Sequence, residues 1–148
     1  MIDAMDNDGA PIDPKKIADR YVALWNEPDP NVRRKIIRGL WAPSGEHVLD
    51  PPQDIRKTAH DLGFDWPVLE IRGYGAIETR ATRAYESFIA PGKHQFRLRD
   101  DAARLRNVVK FHWEMVSTST GEVEGVGLEL LILDDEGRIA VDYQFIES

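Results

Sequence analysis

The sequence contains no cysteine. That absence excludes disulfides, zinc–thiolate sites and a thiol nucleophile, and it favours a cytoplasmic setting. Long apolar runs are missing too: none approaches the roughly 20 residues that span a bilayer, so no membrane partner is expected. Met1 to Asp13 is polar and acidic without a basic start, which reads as a disordered acidic tail and not as a signal peptide. Basic charge is in short supply. Against 26 Asp and Glu stand 19 Lys and Arg, for a net charge of −7. A surface of that sign repels phosphate backbones, so nucleic acid is not an expected partner. The densest basic group is Arg33, Arg34, Lys35 and Arg38, which reads as the solvated face of a helix. Serine-nucleophile motifs, phosphate loops and dinucleotide fingerprints are all absent. The histidines His47, His60, His94 and His112 show no metal-ligand spacing, so no metal or other cofactor is expected. His47 and Asp50 are placed to point to opposite faces of one extended run. His112 and Glu114 share a face that reads as outward.

What remains is ordinary globular material. The 148 residues are 42% hydrophobic and 30% charged, enough for one domain with one core. Asp13-Pro14 and Asp29-Pro30 each combine an N-cap acid with proline at the first helical position. Behind them, Ile17, Tyr21, Leu24 and Trp25 form one helical stripe, and Val32, Ile36, Ile37 and Leu40 a second. Glu46 to Asp50 is extended and stops at Pro51-Pro52. Gln53 to Leu62 is a weakly amphipathic stretch inside a long connection, of the kind that serves as a lid or as plain surface insertion. Ala76 to Ile89 is a clear helix with Ile77, Ala81, Ala84, Tyr85 and Phe88 on one face. Thereafter the period is two: Gln95 to Arg99, Val108 to Val116, Glu122 to Leu133 and Arg138 to Ile146 read as strands. Gly125 and Gly127 interrupt the third of these and suggest a bulge or strong curvature. Helices first and strands afterwards define an α+β fold, with three N-terminal helices packed on a strongly curved antiparallel sheet that leaves a concave cavity between them.

The run Arg20 to Asn26, the extended segment ending in Asp50-Pro51 and the hairpin Leu133 to Ile139 together resemble the nuclear transport factor 2-like superfamily, which includes SnoaL-like and ketosteroid isomerase-like proteins. The resemblance covers roughly residues 17–147 and implies a domain over 14–148. It also implies that the curved sheet encloses a cone-shaped pocket, with a small-molecule ligand inside and a homodimer through the outer sheet face. In ketosteroid isomerases a helix tyrosine and a sheet acid bind the oxyanion, while an aspartate before a proline shuttles the proton. By position, Tyr21 matches the tyrosine, Asp50 the shuttle and Glu129 the sheet acid, although glutamate replaces aspartate there. Asp142 resembles a position that several superfamily members turn into the cavity.

Such chemistry needs a base near the carbon acid and a donor near the developing oxyanion. The alternatives for each residue are bland: Tyr21 as core, Asp50 as a turn cap, Glu129 and Asp142 as surface or interface acids. Trp25, Trp41, Tyr85, Phe88, Phe111, Trp113, Met115 and Gln144 are candidates for the pocket wall, the tryptophans reading equally as core anchors. Two functions are therefore expected to compete: cofactor-independent acid–base catalysis on a small apolar carbonyl or hydroxylated compound, and non-catalytic ligand binding or accessory dimerisation.

Overall fold

The computed structural model describes residues 11–51, 53–63 and 68–147. Helix α1 (Pro14–Asn26) and helix α2 (Pro30–Leu40) start as their Asp-Pro steps dictate. The Asp13 carboxylate accepts from the Lys15 backbone N–H at 3.0 Å, and Asp29 from that of Asn31 at 2.8 Å. Each satisfies one donor that the first helical turn leaves orphaned. Strand β1 (Trp41–Asp50) follows, then the short helix α3 (Gln53–Asp61), strand β2 (Leu69–Arg72) and helix α4 (Tyr74–Ala84). A π-helical turn, Tyr85–Ile89, extends α4. The remaining strands are β3 (His94–Leu98), β4 (Ala103–Leu105), β5 (Val108–Ser117), β6 (Val123–Leu133) and β7 (Ile139–Ile146).

The fold is α+β; the described residues form four α-helices and a curved, unclosed seven-stranded sheet ordered β2-β1-β7-β6-β5-β3, β4 also pairing with β5. All pairings are antiparallel except β1 with β7. The sheet is thus mixed where a purely antiparallel one was expected. The exception follows from topology: β1 comes before the helical connections and β7 is the last strand, so no hairpin joins them. β1 also begins earlier than Glu46, and the edge strands β2 and β4 were not foreseen, being short and only partly buried.

The helices cover the concave face. Tyr21, Leu24, Ile37, Trp41, Ile77, Phe111, Leu131 and Ile139 make the core, each at most 1% exposed. The expected acidic tail falls on residues 1–10, outside the described ones, and on Pro11 to Asp13; of these Ile12 is buried in the core cluster.

A second correction concerns α2. Arg33 is not solvated: it is 3% exposed, while Val32 is 37% exposed. Its guanidinium donates to the Glu27 and Pro28 carbonyl oxygens at 2.7 and 3.2 Å and lies 4.9 Å from the Tyr85 ring centroid. The turn between α1 and α2 leaves those carbonyls needing donors, and arginine supplies them.

At β6 the register shifts opposite Met115 and Val116, so the bulge expected near Gly125 is present. Gly137 closes the last hairpin at φ +79°, a left-handed turn that glycine adopts without strain. The Asp134 N–H donates to the Arg138 carbonyl at 2.8 Å across it.

Candidate active site

The sheet's inner face is set by strand alternation. On β1, His47 and Leu49 turn inward; on β7, Asp142, Gln144 and Ile146; on β6, Gly127, Glu129 and Leu131; on β5, Phe111, Trp113 and Met115. Because β1, β7 and β6 are neighbours, the register sets His47 beside Asp142 and Gln144 beside Glu129. Four polar side chains from three strands therefore meet, and Tyr21 comes down on them from α1.

Above them opens a cavity of about 340 Å³. Its walls are mostly apolar: Val22, Trp25, Leu49, Phe88, Phe96, Trp113, Met115 and Ile146. Tyr21, His47, Glu129, Gln144 and Arg80 supply its inner polar groups, and Glu124, joined to His94, its more exposed one. Phe88 reaches the wall from the π-helical turn, a distortion that often marks functional sites.

The polar cluster is tightly bonded. The Tyr21 hydroxyl donates to Asp142 Oδ2 at 2.6 Å, and the Trp113 indole N–H to Glu129 Oε1 at 2.8 Å. Gly127 makes that second bond feasible, since a Cβ there would lie 2.1 Å from the Trp113 ring. The other carboxyl oxygens, Glu129 Oε2 and Asp142 Oδ1, are buried without a conventional donor. A proton on one of these two neighbouring carboxyl groups would supply the missing donor. Burial foremost, and then the Asp142 charge, push the Glu129 carboxyl well above the ordinary range, which favours its protonated form. Burial likewise raises the Tyr21 hydroxyl, reinforced by Asp142 and Glu129, so it stays a donor.

His47 has a defined tautomer. Arg80 Nη1 lies 2.9 Å from His47 Nδ1. Arginine can only donate, so Nδ1 carries the lone pair and Nε2 carries the hydrogen. That N–H points to Gln144 Oε1 at 2.7 Å, with Asp142 Oδ2 at 3.6 Å. Burial holds the imidazole pKa below its usual value, so the ring is neutral. His47, Glu129 and Asp142 could each turn one atom to a cation, these atoms lying within 4.8 Å of one another. The Nε2 hydrogen occupies the ligand position on His47, and the donor set suits a proton network better than a metal.

Of the residues expected at the site, Tyr21, Glu129 and Gln144 line the cavity, and Asp142 lies just behind them at 0% exposure. Trp25, Phe88, Trp113 and Met115 form wall. Trp41 and Phe111 are core beneath it, both in ring contact with Tyr21, and Tyr85 is taken up by Arg33. Asp50 is elsewhere: since His47 and Leu49 face inward, Asp50 faces out, where it is paired with Arg56 of α3. His47 and Arg80 were not foreseen as site residues. The signal for His47 was its alternation with Leu49; for Arg80, on a helix of mixed charge, the sequence offers none.

No family model and no curated protein matches the chain by sequence. Solved structures do match. A SnoaL-like family protein from Agrobacterium tumefaciens, described as a candidate isomerase, superposes with a TM-score of 0.72 at 24% identity, over 91% of this chain and 97% of that one. A SnoaL-like protein of unknown function from Burkholderia thailandensis gives 0.63 at 15% identity, over 93% and 100%. A phenazine biosynthesis-related protein from Pseudomonas aeruginosa gives 0.54 at 17%, over 90% and 80%. The chain has the fold of the SnoaL-like, nuclear transport factor 2-like superfamily. At these identities the similarity extends to the fold and not to a reaction.

Proposed function

We propose that this domain binds a small apolar carbonyl or hydroxylated compound and performs cofactor-independent acid–base chemistry on it, of the isomerase, cyclase or dehydratase type. The observation that carries the reading is a buried carboxyl, Glu129, facing an apolar cavity with Asp142 behind it, where burial and the neighbouring acid favour its protonated form. A carboxylic acid kept neutral by burial can donate to a substrate carbonyl as charge develops, or protonate a departing hydroxyl. Asp142, held by Tyr21, is the neighbour that stabilises the system when that proton shifts. The catalytic residue in this reading is Glu129, with Tyr21, Asp142 and His47 as positioning residues. Asp50, paired with Arg56 outside the cavity lining, is assigned no part in the proton transfer.

The test is proton exchange. Small cyclic ketones and β-hydroxy ketones are incubated with the protein in D2O and followed by NMR for deuterium uptake or loss of water. Glu129→Gln should slow any protein-dependent rate by about 10²–10⁴-fold, the usual scale of general acid–base catalysis, while Asp50→Asn leaves it within a factor of about two. A rate that survives Glu129→Gln removes the assignment. Binding without exchange for every probe favours the second reading, a ligand-binding or accessory domain. That reading is supported by the commitment of the Tyr21 hydroxyl to Asp142 and by the apolar outer face of β6 and β7, where Tyr143 and Phe145 are 40% and 39% exposed. We assign that face to a homodimer contact in either case.

A further inference from the structure

Arg80 projects from α4 into the cavity lining. Through Nη1 it donates to His47 Nδ1 at 2.9 Å, to the Leu69 carbonyl at 3.2 Å and, more distantly, to the His47 carbonyl at 3.5 Å. All three acceptors are neutral. Its Nε and Nη2 hydrogens make no hydrogen bond among the described residues, and neither nitrogen is buried away from the cavity and solvent.

Arg20, Arg38 and Arg83 also have no carboxylate in ion-pair contact among the described residues, but none of them lines this cavity, and the other arginines are differently placed. Arg34 pairs with Glu78, Arg56 with Asp50, Arg72 with Glu46, and Arg97 and Arg99 with Glu114. Buried Arg33 has carbonyl oxygens and an aromatic ring. In a protein where acids outnumber bases by 26 to 19, the arginine lining the apolar cavity is left without a carboxylate in ion-pair contact. Partial burial makes its charge costly, since an unpaired charge in apolar surroundings loses solvation that only an opposite charge restores well. Burial favours the protonated form of Glu129, and the Asp142 charge acts on Arg80 from behind His47 without touching the guanidinium.

We propose that the ligand carries a carboxylate as well as its apolar body, and that Arg80 binds that carboxylate through its free N–H groups. The inference rests on the cavity being the ligand site, as argued above. The planar fork of a guanidinium matches two carboxylate oxygens, which gives orientation as well as affinity. A molecule anchored there lays its body against Leu49, Phe88, Trp113 and Met115, with Glu129 facing it from the sheet. The substrate class becomes apolar keto or hydroxy acids, and the carboxylate is the handle, not the reacting group.

The test compares matched probes by isothermal titration: phenylacetate, 3-phenylpropanoate and 4-phenylbutanoate against their neutral primary amides. The best-fitting acid should bind the native protein about tenfold or more tighter than its amide, the scale of one hydrogen-bonded charge. Its affinity should fall with added sodium chloride while that of the amide does not. Arg80→Gln should bring the acid-to-amide ratio close to one, and Arg80→Lys should keep part of it. Circular dichroism confirms that each variant is folded, and the salt response of the native protein stands without either. Equal affinity of acid and amide in the native protein, or an acid preference that survives in folded Arg80→Gln, overturns the proposal. If the amides bind and lose affinity in Trp113→Ala but the acids show no preference, the cavity reading stands and the anion assignment alone falls. Absence of binding by all six probes overturns both.

Discussion

Glu129 and His47 are both buried and both kept neutral, yet they oppose each other in the pH dependence of stability. The Glu129 carboxyl lies well above its ordinary 4.5, so the folded chain holds a proton that the unfolded chain has released. Its contribution is complete below about 4.5 and is lost as pH rises toward the folded-state value. The His47 imidazole lies below its ordinary 6.5, so its contribution is present above that value and is lost as pH falls. Glu129→Gln keeps an acceptor for Trp113 and a donor for Asp142 but cannot ionise. The variant should therefore gain stability over the native protein progressively as pH rises from about 4.5 to 8, measured by urea denaturation at each pH. A constant difference across that range would mean that Glu129 titrates normally. Tyr21→Phe removes the donor to Asp142 Oδ2 and leaves a buried carboxylate less satisfied. The same denaturation at pH 7 should show a loss of about 1–3 kcal/mol; a loss below about 0.5 kcal/mol would mean that the bond adds nothing net. Tyr21 and Glu129 were legible as candidates because a helix tyrosine and a strand acid can be matched by position. His47 was not: its alternation with Leu49 puts the two on one face, but a single histidine between Glu46 and Val48 carries nothing that says this face is the inner one.

At the scale of elements, strand alternation decided the outcome. His47 and Asp50 were readable as facing opposite ways, but nothing local says which way is in. The answer comes from β7, whose parallel register with β1 places Asp142 beside His47 and Phe145 beside Asp50. A parallel pairing between the first and last strands is a long-range fact with no turn signal to announce it. The β5 stripe was easier, because Phe111, Trp113 and Met115 are large and apolar together, and the α2 face failed because Arg33 serves carbonyls on the preceding turn. The two β6 glycines were read as equivalent sources of curvature, and the structure separates them. A Cβ on Gly127 would meet the Trp113 ring at 2.1 Å, whereas one on Gly125 would meet Met115 at an ordinary 3.6 Å. Gly127→Ala should thus push the indole off Glu129 and destabilise the fold by about 1–3 kcal/mol, the scale of core overpacking. Gly125→Ala should change stability by less than about 1 kcal/mol, as a mild packing change does. Calorimetry of the pair checks this, and equal effects would show that Trp113 has no fixed seat over Gly127.

At the scale of the whole molecule, the concave side of the sheet is occupied by helices and cavity, while no described element covers the convex side. Val48, Leu128, Leu130, Tyr143 and Phe145 face that way, the β7 aromatics markedly exposed. A contiguous apolar patch of this kind on a sheet is what association buries. Ion pairs on neighbouring β5, where Glu114 holds Arg97 and Arg99, would frame it with charge. Two copies related by a twofold axis can stack such faces on each other, since an isologous contact needs one self-complementary patch. Sedimentation velocity at micromolar concentration should then give a species of twice the 16.8 kDa chain mass. Tyr143→Glu, which sets a charge in the middle of the patch, should convert it to monomer. Because β7 turns Asp142 and Gln144 to the opposite face, that variant should leave the affinity of the cavity for the neutral amide probes within about twofold, as expected for sites without shared contacts. Monomeric native protein under these conditions would leave the convex face without a partner of its own kind. Loss of amide binding on dissociation would instead show that the cavity depends on the second copy to hold the sheet's curvature.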